Sequence, residues 1–573
     1  MIIRKFLNLI ISNFSMKWFS VFISIFLILF LCTHKSHYSS IFIDPRVIKC
    51  FACTIFFGTI FAFLVKLKIE TYIPLSCGII FYIAGAGTFS LYTKELGIGF
   101  NEVQYELFFA ETLVLILICL NRLNCPKFII SIIESIIIII SLLYIGYYIS
   151  FDIAVTSETY FLLLQTNFEE TLNFFSAYKI TVLSSLVLFF VICIYIYICN
   201  KKYKFTGFGR NFVIFTLLIC FILDYFMIFK EDHLYIHRDF KLAYGYFEQV
   251  KKMADMKTNL HNINANSNLR TVCLIIGESA CRDYMNAYGY ERENTPWLTK
   301  QSNNNNFILY DNVYSSYRAT NKSLVYFLTE KSQYNNKEIY TSLNLIDVAN
   351  ASGFDTYWIS KQGNLSNYRE AYNVIAQRAK YKHFLEGAHY DEELLNYLNI
   401  PDYGNKKLIV VHLGGSHHPY KGYTNKFKKF SEDNVNDNYD NTILYTDYVM
   451  SEVFNILQQY NIDVFIYTSD HGESKEMLRN KFDFRMERIP FVIYFSDYFI
   501  QNNPEIFKIA KERQHAYFTT DMFYDSFLGL IGADKEYYMD NQNLFSKQYS
   551  FNKYNLMTEY GSKMISEDPY DIQ

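Results

Sequence analysis

Three short stretches of this sequence run apolar, strand-forming residues straight into acids and imidazoles. "VFIYTSDHGES" (464–474) ends in Asp470, His471 and Gly472; "TVCLIIGES" (271–279) reaches Glu278. "KLIVVHLGGSHHPY" (407–420) passes His412 and arrives at His417 and His418. Open α/β folds keep their ligands beyond the carboxyl ends of the strands, so three such strands would deliver oxygen and nitrogen donors to one edge of one sheet. Taken singly, each residue is equally at home as a structural strand end. Taken together, they suit a hard-to-borderline divalent ion held without thiolate. Such an ion needs something to activate, and a hydroxyl is the usual object. Ser315, Ser316, Thr320 and Ser323 lie in "NVYSSYRATNKSLVYFL" (312–328), just before or within an apolar helical stretch. Backbone N–H groups at a helix start also receive phosphate, whereas a plain N-cap would explain Thr320 or Ser323 equally well. Spacing alone does not choose among the four.

The elements that must position these groups are legible in the same half of the chain. "TVCLIIG", "FDTYWIS", "KLIVVHLG", "IDVFIYTS" and "PFVIYFS" alternate with helical patterns. In "NTILYTDYVMSEVFNILQQY" (441–460), Val449, Val453, Ile456, Leu457 and Tyr460 fall on one helical face. Strands alternating with helices predict a largely parallel sheet with helices on both faces.

The rest of the chain has a different composition. Of 573 residues 51% are hydrophobic and 18% aromatic, and residues 1–229 hold most of the long apolar runs. Nine of the 11 cysteines lie there; Cys273 and Cys281 alone remain in the polar half, so the pattern is no disulfide framework. The net charge of −3 gives no reason to expect a nucleic-acid partner. Seven candidate spans (18–33, 49–65, 72–92, 107–120, 128–150, 180–199 and 211–229) approach the ~20 apolar residues that cross a bilayer. The fourth, with Glu106 and Glu111 at its start, decides the parity. With all seven crossing, one set of loops carries Arg4, Lys5, Lys17, Lys66, Lys68, Arg122, Lys127, Lys201, Lys202, Lys204 and Arg210. The other set carries Lys35, Arg46, Lys49, Lys94 and Lys179. The excess of positive charge places the N-terminus in the cytoplasm and everything after residue 229 on the far side. The expected organisation is an α-helical transmembrane domain (1–229), a connector (230–270) and an exported α/β domain (271–573). Within the connector, "FKLAYGYFEQVKKM" is amphipathic and suits a membrane surface.

"GESACRDYMNAYGYERENTPWL" (277–298) resembles a motif block of the phosphoethanolamine transferases of Gram-negative bacteria. These are membrane-anchored members of the alkaline phosphatase/sulfatase superfamily and include the colistin-resistance enzymes. "SSYRATNKSL", "YWISKQ", "VVHLGGSHHPY", "YTSDHGES" and "ERIPFVIYF" are similar to the same family, in order, across 271–500. The resemblance implies that Glu278, Thr320, Asp470 and His471 hold a catalytic zinc, with manganese or another divalent ion as alternatives. It implies that Thr320 is also the nucleophile and that His417 contacts the phosphoryl group or a second metal. "LLLQTNFEETLNFF" (162–175) resembles the loop that receives the lipid donor, which implies donor contacts at Thr166, Asn167 and Glu170. The implied reaction is double displacement, from phosphatidylethanolamine through a phosphothreonine-type intermediate to lipopolysaccharide, at an inner-core sugar or lipid A. The implied location is the Gram-negative inner membrane, multi-pass, with the catalytic domain in the periplasm.

The sequence departs from the family at three places. A further histidine expected after the Asp-His pair is absent from "KEMLRNKFDFRMER" (475–488), where Lys481 or Arg479 would serve as the phosphate contact. The cysteines that flank the nucleophile in lipid A-modifying members are missing, which leaves an inner-core sugar at least as good an acceptor. Lys361 stands where asparagine is usual. The alternatives are a glycerol-phosphate transferase of the lipoteichoic-acid-synthase type, against which the "YGYERENTPWL" block speaks, or a related membrane-bound phosphodiesterase. A sulfatase would need a Cys/Ser-x-Pro-x-Arg motif near Thr320, and there is none; a sensor would be expected to lose ligands.

The charge asymmetry makes one expectation directly testable. An alkaline phosphatase reporter fused after residue 260 should be active in cells, and a cytoplasmic reporter fused there should be silent; the reverse pattern would show that the span count is wrong.

Overall fold

The computed structural model describes residues 15–33, 45–64, 72–88, 103–151, 154–165, 179–202, 209–226 and 234–256 of the N-terminal half. It describes 260–571 of the remainder except 261–262, 266–267, 363–369, 386–389, 401–405, 419, 432–433 and 476–481. Two compact units divide the chain, Met1–Tyr246 and Phe247–Gln573.

The first unit is helical. Its longer helices are Met16–Thr33, Pro45–Leu64, Tyr72–Tyr82, Val103–Arg122, Lys127–Phe151, Lys179–Lys202 and Arg210–Tyr225. Phe22, Phe26, Phe61, Tyr82 and Val114 pack its interior, while Ile136, Ile140, Leu143, Phe190, Val191 and Ile194 point outward. An apolar outer surface of this extent is foreign to a helix bundle in water. Among the described residues one helix, Lys127–Ile149, is long and apolar enough to cross a bilayer; Met16–Leu29, Phe51–Leu64, Tyr72–Gly87 and Val187–Lys201 are shorter apolar helices. Glu106 and Glu111, at the start of the fourth candidate span, are both buried within the unit. They face other helices, where an acid on an apolar helix is tolerated. A further helix, Tyr235–Asp255, occupies the stretch read as a connector.

In the second unit the strands are β1 (Thr271–Gly277), β2 (Phe307–Tyr310), β3 (Val313–Tyr314), β4 (Asp355–Ser360), β5 (Tyr381–Phe384), β6 (Lys407–His412), β7 (Ile462–Ser469), β8 (Phe491–Phe495) and β9 (Phe518–Thr519). Seven form one sheet in the order β2-β8-β7-β1-β6-β4-β5. The five strands from β7 to β5 run parallel, and β8 runs against both of its neighbours. Every residue of β1, β4, β6 and β7 is buried, as continuous apolar runs covered on both faces require. Register then fixes the site. Ile276 pairs with His412, and His412 with Ser360, while Gly277 pairs with Ser469. Glu278, Lys361, Leu413 and Asp470 therefore leave the sheet side by side.

The long helix begins at Val435, six residues before the sequence pattern does, and ends at Gln458. After an exposed first turn come Asn438, Asp440, Asn441 and Thr442, polar yet buried, which hides this part from a hydrophobic-period reading. Asn434 caps the helix by accepting from Asn436 N, and Asn441 Oδ1 accepts from Lys429 N and Phe430 N at 3.0 and 2.9 Å. Val449, Val453 and Leu457 are core, while Ile456 and Tyr460 pack against it partly exposed.

Candidate active site

Glu278, Asp470 and His471 offer donor atoms that all lie within 4.8 Å of one another, and all three residues are buried. Thr320 opens the helix Thr320–Leu328, and its hydroxyl donates to Glu278 Oε2 at 3.1 Å and lies 3.4 Å from His471 Nε2. The N-cap of that helix is Ala319, with no side-chain cap bond. The capping alternative for Thr320 therefore falls, because its hydroxyl turns to the carboxylate instead. Ser323, on the same helical face, donates to Asp470 O at 2.5 Å and ties the helix to the Asp-His turn.

The shell around these atoms leaves one set of lone pairs aimed inward. His471 Nδ1 lies 2.8 Å from Gly472 O, a bond only Nδ1–H can donate, so Nε2 carries the lone pair. That Nε2 stands 3.5 Å from Glu278 Oε1 and 3.5 Å from Asp470 Oδ2. Asp470 Oδ1 accepts from Ser279 N and His471 N at 3.0 and 2.7 Å, while Oδ2 is buried with no hydrogen-bond partner. A buried carboxylate oxygen without a donor is costly and makes sense when an ion supplies the missing charge. The spacing fits as well. Ligands held tetrahedrally at about 2.0–2.1 Å from one ion stand roughly 3.3 Å apart, close to the 3.1–3.5 Å separations among Thr320, Glu278, Asp470 and His471. Two carboxylates, an imidazole and a hydroxyl suit a divalent ion.

Burial resists charge on both acids, and they resist it in each other. It pushes Asp470 up to about 7, with the Glu278 charge adding to the rise. Glu278 pays the same burial, but His471, the Ser279 hydroxyl, His417 and the Gln362 amide together hold it down at about 2. Gly472 is required by close approach: a Cβ would stand 2.2 Å from Arg485 O, and Gly472 N donates to Met486 O at 2.7 Å. The structure gives it no positive φ, and space is the reason for a glycine here.

His417 is exposed on the turn after β6, with Nδ1 2.7 Å from His418 O. His412 is fully buried, 3.2 Å from the Ser360 hydroxyl, and burial lowers its pKa to about 4; it is a core residue. Ser315 and Ser316 are buried and their hydroxyls have no partner, so Thr320 alone of the four joins the donor set. Thr166, Asn167, Glu170, Arg479 and Lys481 lie outside the described residues. Sequence reading missed Gln362, whose amide donates to Glu278 Oε2 at 3.0 Å and to Leu413 O at 2.7 Å. Its position just past a strand end, like that of the acids, was the available signal.

A mostly parallel sheet with acids and an imidazole at its carboxyl edge, beside a helix-borne hydroxyl, is the make-up of a sulfatase-type domain, and residues 270–533 match the Sulfatase family model. The phosphoethanolamine transferase EptC of Escherichia coli K12 is 29% identical over 281 residues, 43% of this chain and 48% of that protein. The crystal structure of its C-terminal periplasmic domain in complex with Zn is 23% identical, with a TM-score of 0.50, over 56% of this chain and 99% of that one. The integral membrane lipooligosaccharide phosphoethanolamine transferase A from Neisseria meningitidis is 19% identical, with a TM-score of 0.56, over 83% of this chain and 97% of that one. Those two likenesses are of fold. The chain spans about half the length of the curated relatives it matches. Its curated relatives include phosphoethanolamine transferases, which it resembles over that length.

The acid pair sets the pH dependence of metal uptake. Holding a divalent ion requires Asp470 ionised, and without one its pKa is about 7. Below pH 7, binding should release a proton, and affinity should weaken about tenfold per unit as pH falls; above it the dependence should flatten. Titration calorimetry in buffers of different ionisation enthalpy measures the proton. In Asp470→Asn the release should vanish, with affinity falling by more than the roughly 10–100-fold that outer-shell partners cost.

Proposed function

We propose that this protein transfers phosphoethanolamine from phosphatidylethanolamine to a hydroxyl of lipopolysaccharide, on an inner-core sugar or lipid A. The observation that carries the reading is the Thr320 hydroxyl, set at a helix start and bonded to Glu278 inside a buried donor set. The catalytic domain is 271–573, exported to the periplasm, joined by 230–270 to a multi-pass domain (1–229) in the Gram-negative inner membrane. The apolar outer face of the helical unit supports that placement, since the lipid donor stays in the bilayer. Zinc is the ion we assign, on donor types and on the zinc complex of the EptC domain.

The residues divide the work. When bound, the ion lowers the pKa of the Thr320 hydroxyl and offsets charge on the phosphoryl oxygens. Thr320 Oγ1 attacks phosphorus, the bond to the glycerol oxygen breaks, and diacylglycerol leaves with a proton. Phosphoethanolamine is then carried on Thr320. The acceptor hydroxyl attacks the same phosphorus, gives up its proton, and returns Thr320 to its free form. Glu278 orients the threonine through the 3.1 Å bond. Gln362, donating to the same Glu278 oxygen, fixes that carboxylate in turn. His417, exposed where a substrate can reach it, contacts the phosphoryl group, and Lys481 supplies a further phosphate contact in place of the family histidine. Thr166, Asn167 and Glu170 receive the lipid donor.

Thr320→Ala should lower transfer from a fluorescent phosphatidylethanolamine by about 10³-fold or more, and Thr320→Ser should retain measurable transfer. With acceptor withheld, peptide mass spectrometry should find a phosphoethanolamine adduct on Thr320. An adduct on Ser316 or Ser323, or full activity in Thr320→Ala, would contradict the reading, and a glycerol-phosphate adduct would favour the lipoteichoic-acid-synthase type.

A further inference from the structure

A second carboxylate, away from the donor set, holds the turn that carries His417. Asp391 opens the short helix Asp391–Tyr397 and is 1% exposed. Its Oδ1 accepts from Gly414 N at 2.8 Å and its Oδ2 from Gly415 N at 2.9 Å. Lys361 Nζ lies 4.0 Å from Oδ1, and its stem packs where a Gly414 side chain would be, 3.0 Å from that Cβ position. The Lys361 backbone N–H is bonded to His412 O at 2.9 Å, so the lysine leaves β4 alongside the turn it supports.

The other side of the turn is laced to Glu278. Ser416 N donates to Glu278 O at 3.0 Å and Leu413 N to Ile276 O at 2.9 Å. Gly415 has φ +48°, and a Cβ there would stand 2.9 Å from Glu278 N. The turn is therefore clamped between a metal-side backbone and a buried carboxylate. Its two glycine N–H groups have that carboxylate as acceptor, so removing it strands one buried and one part-buried donor. The mount is itself braced, since Glu392 N donates to Tyr445 OH at 3.0 Å from the long helix.

We propose that Asp391, charge-balanced by Lys361, is a positioning residue that holds the 413–417 turn so that His417 reaches the phosphoryl group. This deepens, and rests on, the phosphoryl-transfer reading of the site. In that role the lysine that departs from the family pattern is half of a latch. Coupling runs through backbone bonds, so loosening the latch should displace His417 without removing any donor of the metal set.

The test compares Asp391→Asn, Lys361→Met and Lys361→Arg in the detergent-solubilised full chain. Asp391→Asn should lower kcat about 10–100-fold with KM changed less than about threefold. Amide hydrogen exchange in the peptide covering 413–417 should quicken at least about tenfold, while exchange in β1 and β7 stays at wild-type rates. Lys361→Met should show the same two effects more weakly, and Lys361→Arg should restore both. Should Asp391→Asn not fold, the lysine pair carries the test by itself. Unchanged kcat beside quickened exchange would show a merely structural turn and overturn the proposal, as would unchanged exchange. The exchange result does not depend on the reaction assigned, so an active Thr320→Ala would count against the transfer reading and leave the latch measurement standing.

Discussion

Everything at the carboxyl edge of this sheet answers to one electrostatic problem: two carboxylates are buried within reach of the same imidazole nitrogen. Glu278 and Asp470 each stand 3.5 Å from His471 Nε2, and neither is exposed to water. Buried acids at that spacing cannot both ionise unless a cation compensates. The surrounding bonds fix the geometry of the problem: Ser279 N and His471 N hold Asp470 Oδ1, and the Gly472 carbonyl holds His471 Nδ1, so that Asp470 Oδ2 and His471 Nε2 face inward. A divalent ion would resolve the charge, and the Thr320 hydroxyl, already bonded to Glu278, is the group we propose that the site uses.

The scaffold makes that arrangement rigid. Four parallel strands in register set the spacing between Glu278, Asp470, Gln362 and the turn bearing His417. Helix Thr320–Leu328 is fastened to the Asp-His turn through Ser323. Gly472 and Gly415 admit backbone approaches that no side chain permits. Few of these constraints are chemical in themselves; they fix where the chemical groups stand.

How much of this was legible in the sequence depended on what each residue bonds to. Strands β1, β4, β6, β7 and β8 were legible because unbroken apolar runs have few other uses. The order of the sheet and the reversal of β8 were not, since pairing is set by tertiary packing. The start of the long helix was hidden by buried polar residues, Asp440 and Asn441 among them. Glu278, Asp470 and His471 stood out because polar residues at the ends of apolar runs are conspicuous. Thr320 could be separated from Ser315, Ser316 and Ser323 only by resemblance, and the geometry separates it by a hydrogen bond. Asp391 was invisible because its partners are backbone N–H groups of a turn 23 and 24 residues away, and sequence patterns do not report backbone partners.

X-ray absorption at the zinc edge of the loaded protein tests the central claim most directly, since it reads the donor atoms themselves. This structure predicts a first shell of oxygen and nitrogen at about 2.0–2.1 Å, with multiple scattering from one imidazole and no sulfur. In Thr320→Ala one light donor should be lost or replaced by solvent, with the imidazole signal unchanged. A shell with sulfur at about 2.3 Å, with no imidazole, or with the same spectrum in Asp470→Asn, would contradict the account.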